Sequence, residues 1–358
     1  VANYLINIMK GGMNYSTGLV GKIPFIDIDH VLSEHLIILV DKCIEISKTI
    51  WDSKETSWDY ETNPIVKFAS SGSIEQACTD YSAYIAELNE NLKSNELEIN
   101  SIFAHIYGLK SLDLAYEFQA VETNNHELIT DLISYSIGCM FGRYSLELPK
   151  LQYAGGIWNN SNLSFSDDDN IIPVNDSEYF GDDIVSKFVE FIRLVFGSDH
   201  LEDNLRFIAN SLEIKGTGTA RDKIRSYFLN DFYKDHLRMY SNLPIYWLFD
   251  SGKANGFKAL IYMHRYTPDL IGKMRQDYLL PMQRRYTEQL KTESDPIARS
   301  KLEKKLEEIS TYDLAMELYS SNKVSIDLDD GIKVNYAKFQ NIDNPGGKGK
   351  INLLYKIK

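Results

Sequence analysis

Two short apolar runs separated by a glycine-bounded loop set the strongest constraint on this chain. Pro244-Ile245-Tyr246-Trp247-Leu248-Phe249 and Phe257-Lys258-Ala259-Leu260-Ile261-Tyr262 carry the aromatic and β-branched residues that fit a pleated sheet. Ser251-Gly252-Lys253-Ala254-Asn255-Gly256 lies between them, so the pair reads as an antiparallel hairpin.

Elsewhere the apolar period is helical. Asp29 caps a helix over 31–51, with Val31, Leu32, Leu36, Leu39, Val40, Cys43, Ile44 and Ile50 as its stripe. Ile74, Cys78, Tyr81, Ile85, Leu88 and Leu92 predict a long helix over 74–107, stopped by Gly108. Further helices are expected over 126–142, where Ser134, Ser136, Gly138 and Gly142 permit close packing, and over 183–196 and 200–212. Ala220 opens one running to about Tyr240. Pro268 and Asp269 start a helix that places Lys273 and Arg284, eleven residues apart, on one face. Asp295-Pro296 starts a charged helix with Leu302, Leu306 and Ile309 as its stripe. Residues 151–183 read as loop, and Tyr15 to Pro24 as a short strand and loop. Residues 341–358, with Pro345-Gly346-Gly347, read as a loose tail. The expected fold class is α+β, predominantly helical.

The 358 residues are 44% hydrophobic and 25% charged, an ordinary globular mix. No apolar run approaches the roughly 18 residues of a membrane span. Val1-Ala2-Asn3-Tyr4 has no basic n-region, so no signal peptide is expected. It also has no Met, which suggests a fragment or a processed chain. Cys43, Cys78 and Cys139 are far apart and odd in number, so neither a disulfide framework nor a zinc site is expected. That pattern fits a reducing, cytoplasmic setting.

The formal net charge of −13 argues against wholesale nucleic-acid binding, but its distribution is uneven. Residues 1–205 carry 12 Lys+Arg against 32 Asp+Glu, while 206–300 carry 16 against 10 and 301–358 carry 10 against 9. The basic segment suits a polyanion, or is a solvated surface. Asp167-Asp168-Asp169 and Asp182-Asp183 suit a hard cation, but without calcium-loop alternation a solvated loop fits them better.

No Walker loop, HExxH, GxSxG or Rossmann fingerprint is present. Lys215-Gly216-Thr217-Gly218-Thr219 can hold one phosphate at a helix N-terminus beside Arg221, or can be a linker with Thr219 as N-cap.

Several segments together resemble one family. They are Ile133 to Leu146, Tyr153-Ala154-Gly155-Gly156, Pro244 to Lys253, Gly256 to Tyr266, and Asp327 to Tyr336. Their set and order resemble the C-terminal half of PglX, the adenine-specific DNA methyltransferase of BREX phage-defence systems, and related single-chain type II restriction–modification enzymes. The resemblance runs from about Tyr15 to Phe339. It implies an exit segment of a missing methyltransferase domain (1–28), a helical connector (29–145), a mixed α/β target-recognition region (146–266), a C-terminal helical region (267–340) and a tail (341–358).

The resemblance further implies a parent that flips an adenine in duplex DNA and methylates it from S-adenosylmethionine. The family's cofactor loop and Asn-Pro-Pro-Tyr motif are not here. Asn63-Pro64-Ile65-Val66 lacks the second Pro and the aromatic that stacks on a flipped base, so no catalytic residue and no cofactor are expected in this chain. For DNA contacts, the basic stretch offers Lys215, Thr217, Thr219, Arg221, Lys253, Lys258, His264, Arg265, Lys273, Arg275, Arg284 and Arg285. A reading of another class is a protein-interaction platform, whose acidic first half docks other phage-defence components or a phage inhibitor. An independent hydrolase is a weak third, because 51 acids make chance carboxylate pairs inevitable.

Overall fold

The computed structural model describes residues 1–9, 17–109, 118–161 and 163–357. The helices begin with α1 (Ala2–Met9), α2 (Thr17–Val20), α3 (His30–Asp52), α4 (Pro64–Lys67), α5 (Ile74–Ile106) and α6 (Asn125–Met140). After the strand β1 (Ile172–Pro173) come α7 (Ile184–Phe196), α8 (Leu201–Ser211), α9 (Ala220–Asn230) and α10 (Phe232–Met239). The strands β2 (Tyr246–Asp250) and β3 (Lys258–Tyr262) precede α11 (Leu270–Met274), α12 (Leu280–Thr292), α13 (Pro296–Ser321) and α14 (Gly331–Ala337). The short strands β4 (Ile342–Asp343) and β5 (Lys350–Ile351) close the chain. The architecture is α+β and predominantly helical, as the sequence implies. Tyr15 and Ser16 of the expected strand lie outside the described residues, and Thr17–Val20 is helix.

The chain divides into two compact units, Val1–Ser57 with Thr79–Asn124, and Trp58–Cys78 with Asn125–Lys358. In the first, Asp29 caps α3 by accepting from Leu32 N at 2.9 Å. His35 of α3 meets Glu98 of α5 at 2.7 Å. Asn89 of α5 pairs both ways with the main chain of Val121, at 2.9 and 3.1 Å.

The second unit is built on the hairpin. β2 and β3 pair antiparallel with Tyr246 opposite Tyr262 and Asp250 opposite Lys258. β1 adds to the other edge of β3, which is therefore central. Both faces of this small sheet are covered, which is why its strands are apolar without alternation. Trp247, Phe249, Ala259 and Ile261 face a core completed by Met274, Leu279, Ile309, Tyr312 and Phe339 from the C-terminal helices. Tyr246 and Tyr262 turn the other way, where Phe141 and His236 stack on Tyr246 at 5.5 and 4.9 Å.

The hairpin loop closes around a side chain. Glu308 of α13 accepts from Ser251 Oγ at 2.7 Å, Ala254 N at 2.7 Å and Gly256 N at 3.0 Å. Gly256 must lack a side chain, because a Cβ there would sit 2.9 Å from Ile309 Cγ1. A second clamp is Arg225 of α9, whose guanidinium donates to both oxygens of fully buried Asp183 at 2.7 and 2.8 Å.

Three expectations need correction. The helix from Ala220 is broken at Asp231 into α9 and α10. A π-turn over Arg275–Leu279 separates α11 from α12. Eleven residues of pure α-helix end within roughly 20° of three full turns, but the residue a π-turn absorbs removes about 100° and sets Lys273 and Arg284 roughly 80° apart. The tail is not loose. Asp250 N donates to Leu353 O at 3.1 Å, and Tyr355 N to Leu248 O at 2.8 Å. Leu353 and Leu354 are 0% and 1% exposed. Leu353→Ala should therefore destabilise the chain by about 3 kcal/mol through transfer and cavity terms together. Urea unfolding measures this, and a loss within about 0.5 kcal/mol, typical of a surface site, would return the tail to the loose state.

Candidate nucleic-acid interface

The loop from Tyr153 to Asp183 is held to the sheet by polar side chains that replace missing strand. Asn170, at φ 62, pairs its carboxamide both ways with the main chain of Tyr262 at 3.1 Å each. Asp169 accepts from Ile171 N at 3.0 Å and from the Tyr278 hydroxyl at 2.7 Å. Tyr278 also bonds Asp182. One phenol proton is shared between two carboxylates, and burial raises the Asp182 carboxyl from its ordinary value against the pull of the Tyr278 hydrogen bond. Burial also raises Asp167, to about 6, against the pull of Lys187 at 2.9 Å. These acids are thus structural rather than solvated. Among the described residues, no group of three His, Cys, Asp or Glu is placed to hold a metal ion.

A cleft of 460 Å³ opens beside this loop, lined by Tyr153, Trp158, His264, Arg265, Tyr266 and Lys273 among others. Its floor is Arg265, 8% exposed, which donates to Phe141 O at 3.2 Å, Asp167 O at 2.8 Å and Asp168 O at 3.0 Å. The same guanidinium lies 3.7 Å from the centre of the Trp158 ring. Trp158 also presses on Gly142, at φ +70, where a Cβ would stand 2.4 Å from the indole. Burial lowers Arg265 to about 10 and His264 to about 4, the latter helped by the charge of Arg143, so the imidazole is neutral at pH 7.

The structure separates the sequence-derived candidates by what they already hold. Arg221 forms a two-pronged pair with Glu202, both contacts at 2.7 Å. Thr219 closes a capping box with Asp222, whose carboxylate takes the Thr219 N–H at 2.8 Å. That carboxylate sits where a phosphate would sit. Lys258 is 7% exposed and donates to Leu229 O at 3.0 Å. Arg275 pairs with Asp313 at 2.6 Å and approaches Glu317 at 3.6 Å. Arg265 is the floor of the cleft. Lys215, Thr217, Lys253, Lys273 and Arg284 are exposed. Arg285 is half-buried, with its guanidinium 4.3 Å from the Tyr179 ring. The candidates do not converge on one cluster; only His264, Arg265 and Lys273 share the cleft.

Trp158 and Asn170 escaped the sequence reading, and Tyr153 entered it only within the segment Tyr153-Ala154-Gly155-Gly156. A run of loop residues carries no period, and only the glycine pair at Gly155-Gly156 marked the place. The one Asn-Pro dipeptide of interest is structural. Asn63 is 1% exposed and caps α4 by accepting from Ile65 N at 2.9 Å.

A loop-laden, helix-covered hairpin of this kind defines a class only through its relatives. The chain is 35% identical to adenine-specific methyltransferase BrxX of Escherichia coli O9:H4 (strain HS), covering 94% of this chain and 31% of the relative. It is 36% identical to adenine-specific methyltransferase PglX of Lacticaseibacillus casei (strain Zhang), covering 94% of this chain and 30% of the relative. The chain is therefore similar to one part of these adenine-specific methyltransferases and spans about a third of the length of the curated relatives it matches. No protein-family model matches it.

Two outcomes test this geometry. Arg265→Met keeps the bulk under Trp158 but leaves three carbonyls unpaired, and should cost about 3 kcal/mol in urea unfolding, against about 0.5 or less for exposed Lys273→Met. Fully buried His236 is lowered to about 3, by burial first and Arg143 second. Its unfolded value is near 6.5, so the unfolded state takes up the extra proton and stability falls as pH drops below that value. Between pH 7.5 and 5, the wild type should lose about 2 kcal/mol more than His236→Gln, whose amide oxygen can still accept from Tyr246 N. Parallel pH profiles of the two proteins would refute the assignment.

Proposed function

We propose that this chain is the DNA-recognition and scaffold portion of an adenine-specific (N6) DNA methyltransferase in phage defence, whose catalytic half lies outside it. The observation that supports this most is the relation to about a third of two adenine-specific methyltransferases, in a chain with no catalytic motif of its own. The parent would bind duplex DNA and draw its methyl group from S-adenosylmethionine. Asn63, the local candidate for an adenine contact, is buried in a helix cap and is not offered to a flipped base. No chemical step is therefore assigned to this chain.

Phosphate contact needs cations not already paired. On this reading Lys215, Lys253, Lys273, Arg284 and Arg285 are the phosphate contacts, with Thr217 beside Lys215. Arg221, Lys258, Arg265 and Arg275 position the fold instead. No helix among the described residues is long and apolar enough to cross a membrane, and the cytoplasm, where the DNA is, is the proposed setting.

A second reading, a docking platform for other phage-defence proteins, has its own observation. On α3, Ile37, Ile44 and Trp51 recur every seven residues and are 55%, 60% and 63% exposed. That apolar line lies in a unit of 7 Lys+Arg against 15 Asp+Glu. Such a line suits a partner helix better than DNA.

A salt-titrated gel shift on duplex DNA tests the first reading. Lys273→Ala with Arg284→Ala in the full-length methyltransferase should weaken binding to all sequences alike and reduce the slope of log K against log salt by about 0.9 per lost contact. An unchanged slope would remove both residues from the DNA face.

A further inference from the structure

Residues 151–166, Leu-Gln-Tyr-Ala-Gly-Gly-Ile-Trp-Asn-Asn-Ser-Asn-Leu-Ser-Phe-Ser, contain no Asp, Glu, Lys or Arg, in a chain that is 25% charged. Its stretch from Gly156 to Ser161 nevertheless lies largely at the surface. Ile157 is 96% exposed, and Asn159, Asn160 and Ser161 are exposed beside it. An uncharged tip on the acidic half of this chain is not explained by solvation, which favours charged side chains.

The tip is held in place. Gly155 and Gly156, at φ +124 and +87, turn the chain outward. The Tyr153 hydroxyl bonds Gly156 O at 3.0 Å and His264 O at 3.2 Å. Trp158 is pinned between Arg265 and Gly142. Asn159 Oδ1 accepts from Ser161 N at 3.0 Å, and Asn160 Nδ2 donates to Asp168 at 3.2 Å. Leu163 and Phe165 are buried at its far end. One aliphatic side chain and two carboxamides are thereby presented from a fixed base.

Phosphates are met by cations, whereas base edges in a groove present amide-like donors and acceptors and the thymine methyl. A tip whose own side chains are carboxamides and one aliphatic group, braced at Asn160 by the Asp168 carboxylate, matches the base edges. Lys273, which opens on the cleft that Tyr153 and Trp158 line, is the cation beside it for the flanking phosphate. We infer that the loop around Ile157 is the base-reading element, with Asn159 and Asn160 bonding base edges and Ile157 packing on a thymine methyl. The inference rests on the DNA-recognition reading above.

The test is selection of bound duplexes from a randomised pool by the full-length methyltransferase, wild type against Asn159→Ala, Asn160→Ala, Ile157→Ala and Lys273→Ala. The three loop variants should each lose preference at one or two base positions, on the order of 10-fold, with the salt slope unchanged. Lys273→Ala should lower the slope and leave every preference in place. Because the mutated side chains are exposed, thermal melts should overlay that of the wild type. Loop variants that melt normally and keep every base preference overturn this inference alone. A wild type that retains no duplex at low salt overturns the DNA-recognition reading, and this inference with it.

Discussion

A guanidinium buried among carbonyls organises the unit built on the hairpin. Arg265 follows the central strand directly, and its donors reach Phe141 at the end of α6 and Asp167 and Asp168 in the long loop. Two chain segments far apart in sequence are thus tied to the end of β3 by one side chain. The carbonyls are dipoles rather than charges, so burial is only partly offset and the residue is lowered to about 10. It remains cationic at neutral pH, and that charge holds the face of Trp158. Removing the charge would release the loop as well as the cleft floor.

The same logic recurs around the sheet. Glu308 fills the turn of the hairpin, Asp183 takes Arg225, and Lys258 reaches Leu229 from within β3. A sheet with only two five-residue strands and a two-residue edge has few ladder bonds of its own. Its position is fixed by helices on both faces and by charged groups that satisfy loop backbone. Such pairs specify geometry more than they add stability, because each side chain is also desolvated.

Legibility in the sequence followed the range of the interaction. The hairpin was legible because strand-forming residues flank a glycine loop, and Asp29, Thr219 and Asp295 were legible as caps because a cap acts over three residues. β1 was hidden, being two residues long and ending in Pro173. The π-turn leaves no sequence period. The tail was misjudged on Pro345-Gly346-Gly347, while its anchor, Leu353 and Leu354, is too short to register as a stripe. Among the candidate residues the limit was partnership. Arg221 and Lys215 are alike in composition, but only Arg221 meets Glu202, nineteen residues away, and Arg275 meets Asp313 across thirty-eight.

That distinction changes what the basic segment can do. Its excess of six cations over residues 206–300 includes Arg221, Arg225, Lys258, Arg265 and Arg275, each neutralised by a carboxylate or held on carbonyls inside the unit. Those cations project little field into solvent, and of the sequence-derived candidates His264, Arg265 and Lys273 share the cleft. Affinity for phosphates scales with the number of ions displaced, so every cation already paired inside the fold lowers what such a segment can contribute. Arg and Lys can also read base edges, but only where they are not already engaged inside the fold. Arg265, which composition marked as a DNA contact, is itself engaged by the carbonyls of Phe141, Asp167 and Asp168 and by the face of Trp158, so its charge supports the uncharged loop above it.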